Sequence, residues 1–173
     1  MLMVNLYLDL TIWILQNVCV KQVLTTESLS DRYLVITVDI TAPLYWWKEY
    51  DTYKVGTVAN STSTMHKIHS KSFEMSDFST DHMNEETIEF MGKNIEFLEN
   101  LRVKYNDTKD KTLWYSIIQL LPESYNQMRT CTFSYENAVA MYYSRKNHKL
   151  DEWHTFCDWV TELPYFKELF IQE

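Results

Sequence analysis

Apolar residues occupy every second position from Leu6 to Ile14, with Tyr7, Asp9, Thr11 and Trp13 between them, so the opening predicts a strand running into a helix. Ser, Thr and acids cluster over 25–31, where a turn is expected. Residues 33–40 alternate again and are rich in β-branched side chains, which predicts a second strand. Thr41 then offers a helix cap and Pro43 suits a first turn, where no N–H is needed. A helix is therefore expected over 44–54, with Trp47, Tyr50 and Lys54 on one side. The run VGTVANSTST at 55–64 is small and polar, the composition of a loop that closes on a ligand or passes between subunits.

In the second half the period changes. Asn84 followed by Glu85, Glu86 and Thr87 is an acidic helix start, and Ile88, Met91, Ile95, Leu98 and Leu101 then recur at a spacing of three to four. A second helix is predicted over 107–121, stopped by Pro122, and a short strand over 129–134. Residues 135–147, 150–163 and 164–171 read as three further helices, and the stripe Trp153, Phe156, Cys157 and Val160 reads as core. The pattern is that of a mixed α+β (α/β) protein with N-terminal strands and a largely helical second half. No repeat, linker or low-complexity tract interrupts it, so one domain is expected over 1–173.

Composition sharpens this picture in three ways. Aromatic residues make up 15% of the chain, including 6 Trp and 12 Tyr, more than the core of a small monomer uses; the surplus favours a homo-oligomer or ring stacking on a ligand. A formal net charge of -8 argues against nucleic acid and anionic membrane as partners, because the densest basic stretch, Arg145, Lys146, His148 and Lys149, is followed at once by Asp151 and Glu152. Cys19, Cys131 and Cys157 are odd in number, widely spaced and set in apolar surroundings, which fits reduced thiols and a cytoplasmic location. Residues 1–20 are apolar but carry Asn5, Asp9, Gln16 and Asn17 and no early Lys or Arg, so they are expected to fold with the domain rather than act as a leader or anchor.

Local motifs for chemistry are sparse. His66 and His69 stand three apart with Asp77, Asp81 and His82 downstream, but two histidines near a helix end need no metal, and no metal site is expected. The cations around Arg145 complement a helix C-terminus or, alternatively, grip a phosphate. Gly56 and Gly92 are the only glycines, so no phosphate-binding glycine loop is present, and spacing alone yields no Ser-His-Asp or Cys-His set.

The segment ITAPLYWWKEYDTYKVGTVANSTSTM at 40–65 resembles the flavin-dependent thymidylate synthases, in which a strand, an Ala-Pro and an aromatic helix lead into R-H-R-x-x-S-x-N-E-x-S-x-R-Y. A second match starts at Leu121-Pro122 and runs to about residue 155, with Arg145 falling on the arginine of the family's Leu-Arg pair. The resemblance implies the thymidylate synthase-complementing-protein-like fold, a homotetramer, and FAD, deoxyuridine monophosphate and methylene-tetrahydrofolate meeting at sites shared between subunits. It implies flavin contacts from Tyr53, Lys54, Thr57, Asn60 and Arg145, substrate contacts from Glu49, Thr62, Ser63 and Thr64, and catalytic roles for Asn60 and Thr62.

Departures from the family pattern cluster at charged positions. Arg-His-Arg becomes Thr52, Tyr53 and Lys54; Asn-Glu becomes Ala59-Asn60; the substrate serine becomes Thr62; the phosphate-holding arginine becomes Thr64. Another family arginine falls near Ile118 and a flavin-contacting histidine near Glu27. Each lost charge-assisted contact is worth about 1.5–3 kcal/mol, so nucleotide affinity in the family's manner falls by orders of magnitude. Two readings follow: a divergent flavoenzyme that binds FAD and a nucleotide or other planar substrate, or a catalytically inactive descendant that serves as a binding or interaction module.

Overall fold

The computed structural model describes residues 3–5, 34–61 and 67–171. The expected strand-to-helix opening over 6–14, the turn at 25–31, Cys19, Glu27 and His66 lie outside the described residues. What is described is a mixed α+β protein. Its elements run β1 (Met3–Asn5), β2 (Val35–Pro43), α1 (Leu44–Tyr50), β3 (Thr57–Ser61), a 3-10 turn (Met75–Asp77), α2 (Glu85–Thr108), α3 (Lys111–Leu120), β4 (Asn126–Ser134), α4 (Tyr135–Arg145), α5 (Asp151–Thr161) and α6 (Phe166–Phe170). The four strands form one sheet in the order β1-β2-β4-β3.

β1 pairs antiparallel with β2, Met3 opposite Thr41 and Asn5 opposite Asp39. The side-chain hydrogen bonds Thr37 to Thr132 and Thr130 to Asp39 step in opposite directions along β2 and β4, so these strands are antiparallel too. Along β2 the alternation expected from the sequence buries Ile36, Val38 and Ile40. The strand continues beyond the expected end, through Thr41, Ala42 and Pro43. Thr41 is therefore no helix cap and Pro43 no part of a first turn: a residue before proline avoids the helical region, which keeps Ala42 extended, and helix begins only at Leu44. α1 also stops at Tyr50, four residues short of expectation, in a turn closed by Thr52 N–H to the Glu49 carbonyl and Tyr53 N–H to the Tyr50 carbonyl. Trp47 and Tyr50 are buried as expected, but Lys54 lies past the helix and is exposed.

The described residues form two compact units that interleave in sequence. One comprises residues 42–48, 61 and 67–128. Its core is the apolar stripe of α2: Met91, Ile95, Leu98 and Leu101 are buried with Phe73, Phe78 and Ile117. Asn84 caps α2, its side chain accepting from Thr87 N–H at 2.9 Å, and α2 runs to Thr108, where Lys109 takes a left-handed conformation. Asp110 then caps α3, so the second helix starts at Lys111 rather than 107, and Leu121-Pro122 ends it. Ile118 packs against this apolar cluster.

The other unit comprises residues 3–5, 34–41, 49–60 and 129–171. Trp153, Phe156, Cys157 and Val160 on one face of α5 are buried, as the sequence predicted. Burial pushes the Cys131 and Cys157 thiols up to about 11, and both are free. Among the described residues no helix is long and apolar enough to cross a membrane.

Candidate functional site

The expected loop over 55–64 is partly a strand. Thr57 to Ser61 add to the sheet edge as β3, because β-branched Thr57 and Val58 gain a ladder partner that composition alone does not reveal. The chain enters β3 through Gly56 at φ 74°, a left-handed conformation that glycine adopts without strain. A Cβ at Gly56 would meet Asn137 Oδ1 at 2.9 Å. That asparagine is the third residue of α4: it completes a capping box with Ser134, and its Nδ2 donates to the Val55 carbonyl at 2.8 Å. One side chain thus starts a helix and pins the approach to β3.

Beside this pin lies a cleft of about 560 Å³. Val55, Gly56 and Val58 form one wall; Val35, Thr132, Phe133 and Ser134 of the sheet and Glu136, Asn137 and Ala140 of α4 form the rest. Val55 and Val58 are exposed, and the lining is mainly apolar with a few polar groups, the composition and size of a small-molecule site.

In the same unit, Arg145 in the last turn of α4 reaches residues far away in sequence. Its Nη1 donates to Glu49 Oε2 at 2.5 Å and its Nε to the Tyr53 hydroxyl at 2.9 Å. The guanidinium sits 4.9 Å from the Trp153 ring centroid and 5.5 Å from that of Tyr53, so both rings hold it by cation–π contact. Glu49 Oε2 also accepts from Trp153 Nε1 at 3.2 Å and faces His148 Nε2 at 3.1 Å. His148 Nδ1 accepts the Leu150 N–H at 3.2 Å, which leaves the ring proton on Nε2, pointed at the carboxylate. Next to this cluster, burial drives the Tyr50 phenol far above its ordinary value, with Cys131 close by, so Tyr50 stays neutral.

The residues singled out from the sequence therefore divide. Glu49, Tyr53 and Arg145 come together in one polar cluster. Thr57 donates its hydroxyl to the Tyr53 carbonyl, which ties β3 to the same turn. Lys54 and Asn60 are exposed. Thr62, Ser63 and Thr64 lie outside the described residues. Sequence reading missed Asn137, although Ser134 three residues before it is a capping-box signature, and it took Trp153 for core alone when its ring nitrogen also serves Glu49.

No family model and no curated protein sequence matches this chain. Solved structures do. A crystal structure of thymidylate synthase X from Helicobacter pylori with FAD and dUMP matches with TM-score 0.60 and 18% identity, covering 95% of this chain and 85% of that one. A second structure of the flavin-dependent thymidylate synthase ThyX from the same organism, complexed with FAD and dUMP, matches with TM-score 0.61 and 16% identity over 87% of this chain and 81% of that one. The chain has the flavin-dependent thymidylate synthase fold.

Proposed function

We propose that this chain is a divergent flavin-dependent thymidylate synthase-like protein that binds FAD and a pyrimidine-type ring ligand in the unit built from residues 49–60 and α4. The observation that carries this reading is the apolar cleft of about 560 Å³ walled by the segment in which the sequence resembles the family's flavin loop. A planar ring fits such a lining, and the two Helicobacter pylori structures of this fold hold FAD and dUMP. Bound there, the flavin supplies the redox chemistry, while Tyr53, Lys54, Thr57 and Asn60 bind and orient it. Of the two cations expected to contact the flavin, Lys54 is exposed, whereas Arg145 is already paired with Glu49. Glu49, Thr62, Ser63 and Thr64 are the proposed substrate contacts. Of the proposed catalytic pair, Asn60 supplies an amide and Thr62 a hydroxyl.

We also read the chain as one domain, since its two units interleave in sequence, and as a cytoplasmic homo-oligomer, most simply the tetramer of the family. The test is the visible absorbance of the purified protein before and after FAD is added, with bound flavin isolated on a sizing column. A flavin spectrum travelling with an assembled peak supports the reading; a colourless protein that ignores added FAD overturns it. The second reading, an inactive descendant that serves as a binding module, is favoured by one observation, the internal neutralisation of Arg145. Under it, a colourless but assembled oligomer is the expected result.

A further inference from the structure

Glu49, one of the proposed substrate contacts, keeps one carboxylate oxygen for partners within the protein. Three donors from the junction of α4 and α5, Arg145 Nη1, His148 Nε2 and Trp153 Nε1, converge on its Oε2 at 2.5, 3.1 and 3.2 Å from about a hundred residues away in sequence. Such a convergence of charged and neutral donors is what a protein builds around an oxyanion of a ligand. Here a side chain of the protein itself fills the position. We propose that the Glu49 carboxylate is an internal stand-in for a ligand phosphate, so that the site accepts uncharged ring ligands such as nucleosides and rejects phosphate monoesters at this position.

This inference rests on the reading of the unit as a nucleotide-type site and names its ligand class. Arg145 cannot turn to a phosphate without giving up the Tyr53 hydroxyl and the two ring faces that hold it. A phosphate brought to the same donors would meet the Glu49 carboxylate instead of a free cation, and like charges repel most where water is partly excluded. The Glu49 side chain is one-third exposed and that of Arg145 less, so screening weakens this repulsion without removing it. Glu49 Oε1 takes no hydrogen bond among the described residues, which leaves an acceptor for a ligand N–H.

The experiment measures binding of inorganic phosphate, dUMP and deoxyuridine to the full chain and to Glu49→Gln, by calorimetry and by the shift in melting temperature at constant ionic strength. Glutamine keeps the shape and an acceptor oxygen but removes the competing charge. The variant is expected to bind phosphate at least about tenfold more tightly than the unaltered chain, the gain of one charge-assisted contact, and Glu49→Gln combined with Arg145→Gln is expected to lose that gain. Glu49→Ala serves the same purpose if the glutamine variant does not fold. Phosphate binding no tighter in the single variant, or a gain that survives loss of Arg145, overturns the inference. So does an unaltered chain that binds dUMP more tightly than deoxyuridine. None of these arms requires flavin, so failure of the flavin reading and failure of this inference are separately visible.

Discussion

The core around α2 and the cluster around Arg145 hold their parts together by opposite means. In the first, residues close in sequence at helical spacing bury apolar surface, and Leu98 at its centre is wholly inaccessible. In the second, a carboxylate, a guanidinium, an imidazole and two aromatic rings are gathered from residues as far apart as Glu49 and Trp153, through directed hydrogen bonds and cation–π contacts. The comparison separates what burial can specify from what only geometry can. An apolar stripe tolerates exchange of one hydrophobic side chain for another of like volume, whereas the cluster fails if any member loses its particular donor or acceptor.

Truncation at the two centres gives the largest contrast. Leu98→Ala is expected to lower unfolding free energy by about 2–5 kcal/mol through lost burial and a residual cavity, read by urea denaturation, with FAD affinity unchanged. A loss below about 1 kcal/mol would mean that α2 is not the core it is taken for. Arg145→Ala is expected to cost about 1–2 kcal/mol, because both partners of the ion pair retain some contact with water, and to weaken ligand binding as well. A variant as stable as the parent that binds ligand normally would dissolve the contrast.

Asn137→Ala sharpens it further, since one side chain both caps α4 and pins Val55. A loss of about 1–2 kcal/mol is expected, together with faster amide exchange over 54–60; slow exchange in the variant would show that β3 holds its own position. Gly56→Ala should cost about 1 kcal/mol, from the left-handed backbone and the close approach of Asn137 Oδ1.

The smallest effect belongs to the first region. Arg102, hydrogen-bonded to Glu99 through Nε and Nη2, holds the Glu99 carboxyl below the usual carboxylate range. Its folded value is depressed, so the stabilisation is present above the unfolded value of about 4.3 and is lost as pH falls through the folded value. Glu99→Gln should therefore flatten the acid limb of the stability profile below about pH 4.3; a profile identical to the parent's would leave the pair without energetic weight.

The contrast also explains what the sequence made legible. The α2 stripe, its Asn84 cap, the buried face of α5 and the alternation of Ile36, Val38 and Ile40 are local periodicities, and all stand in the structure where the sequence predicts them. Errors came where long-range pairing outweighs local preference. β3 occupies a stretch that reads as loop because its strand character depends on a sheet partner, and β2 runs to Pro43 because proline restricts the residue before it. Within the candidate site, family resemblance singled out Glu49, Tyr53 and Arg145, but no spacing in the chain reveals that Glu49 and Arg145 form an ion pair. His148 stood out only as part of a basic stretch, and the bond from Asn137 to Val55 and the role of the Trp153 ring nitrogen are tertiary facts with no local signature.

The most direct test of the account is a titration with FAD, followed by its visible absorbance, of the unaltered chain beside Val58→Asp, which sets a charge on the exposed apolar wall of the cleft. The account predicts saturable flavin binding that the aspartate abolishes while circular dichroism stays unchanged. No binding by the unaltered chain, or equal binding by both, would contradict it.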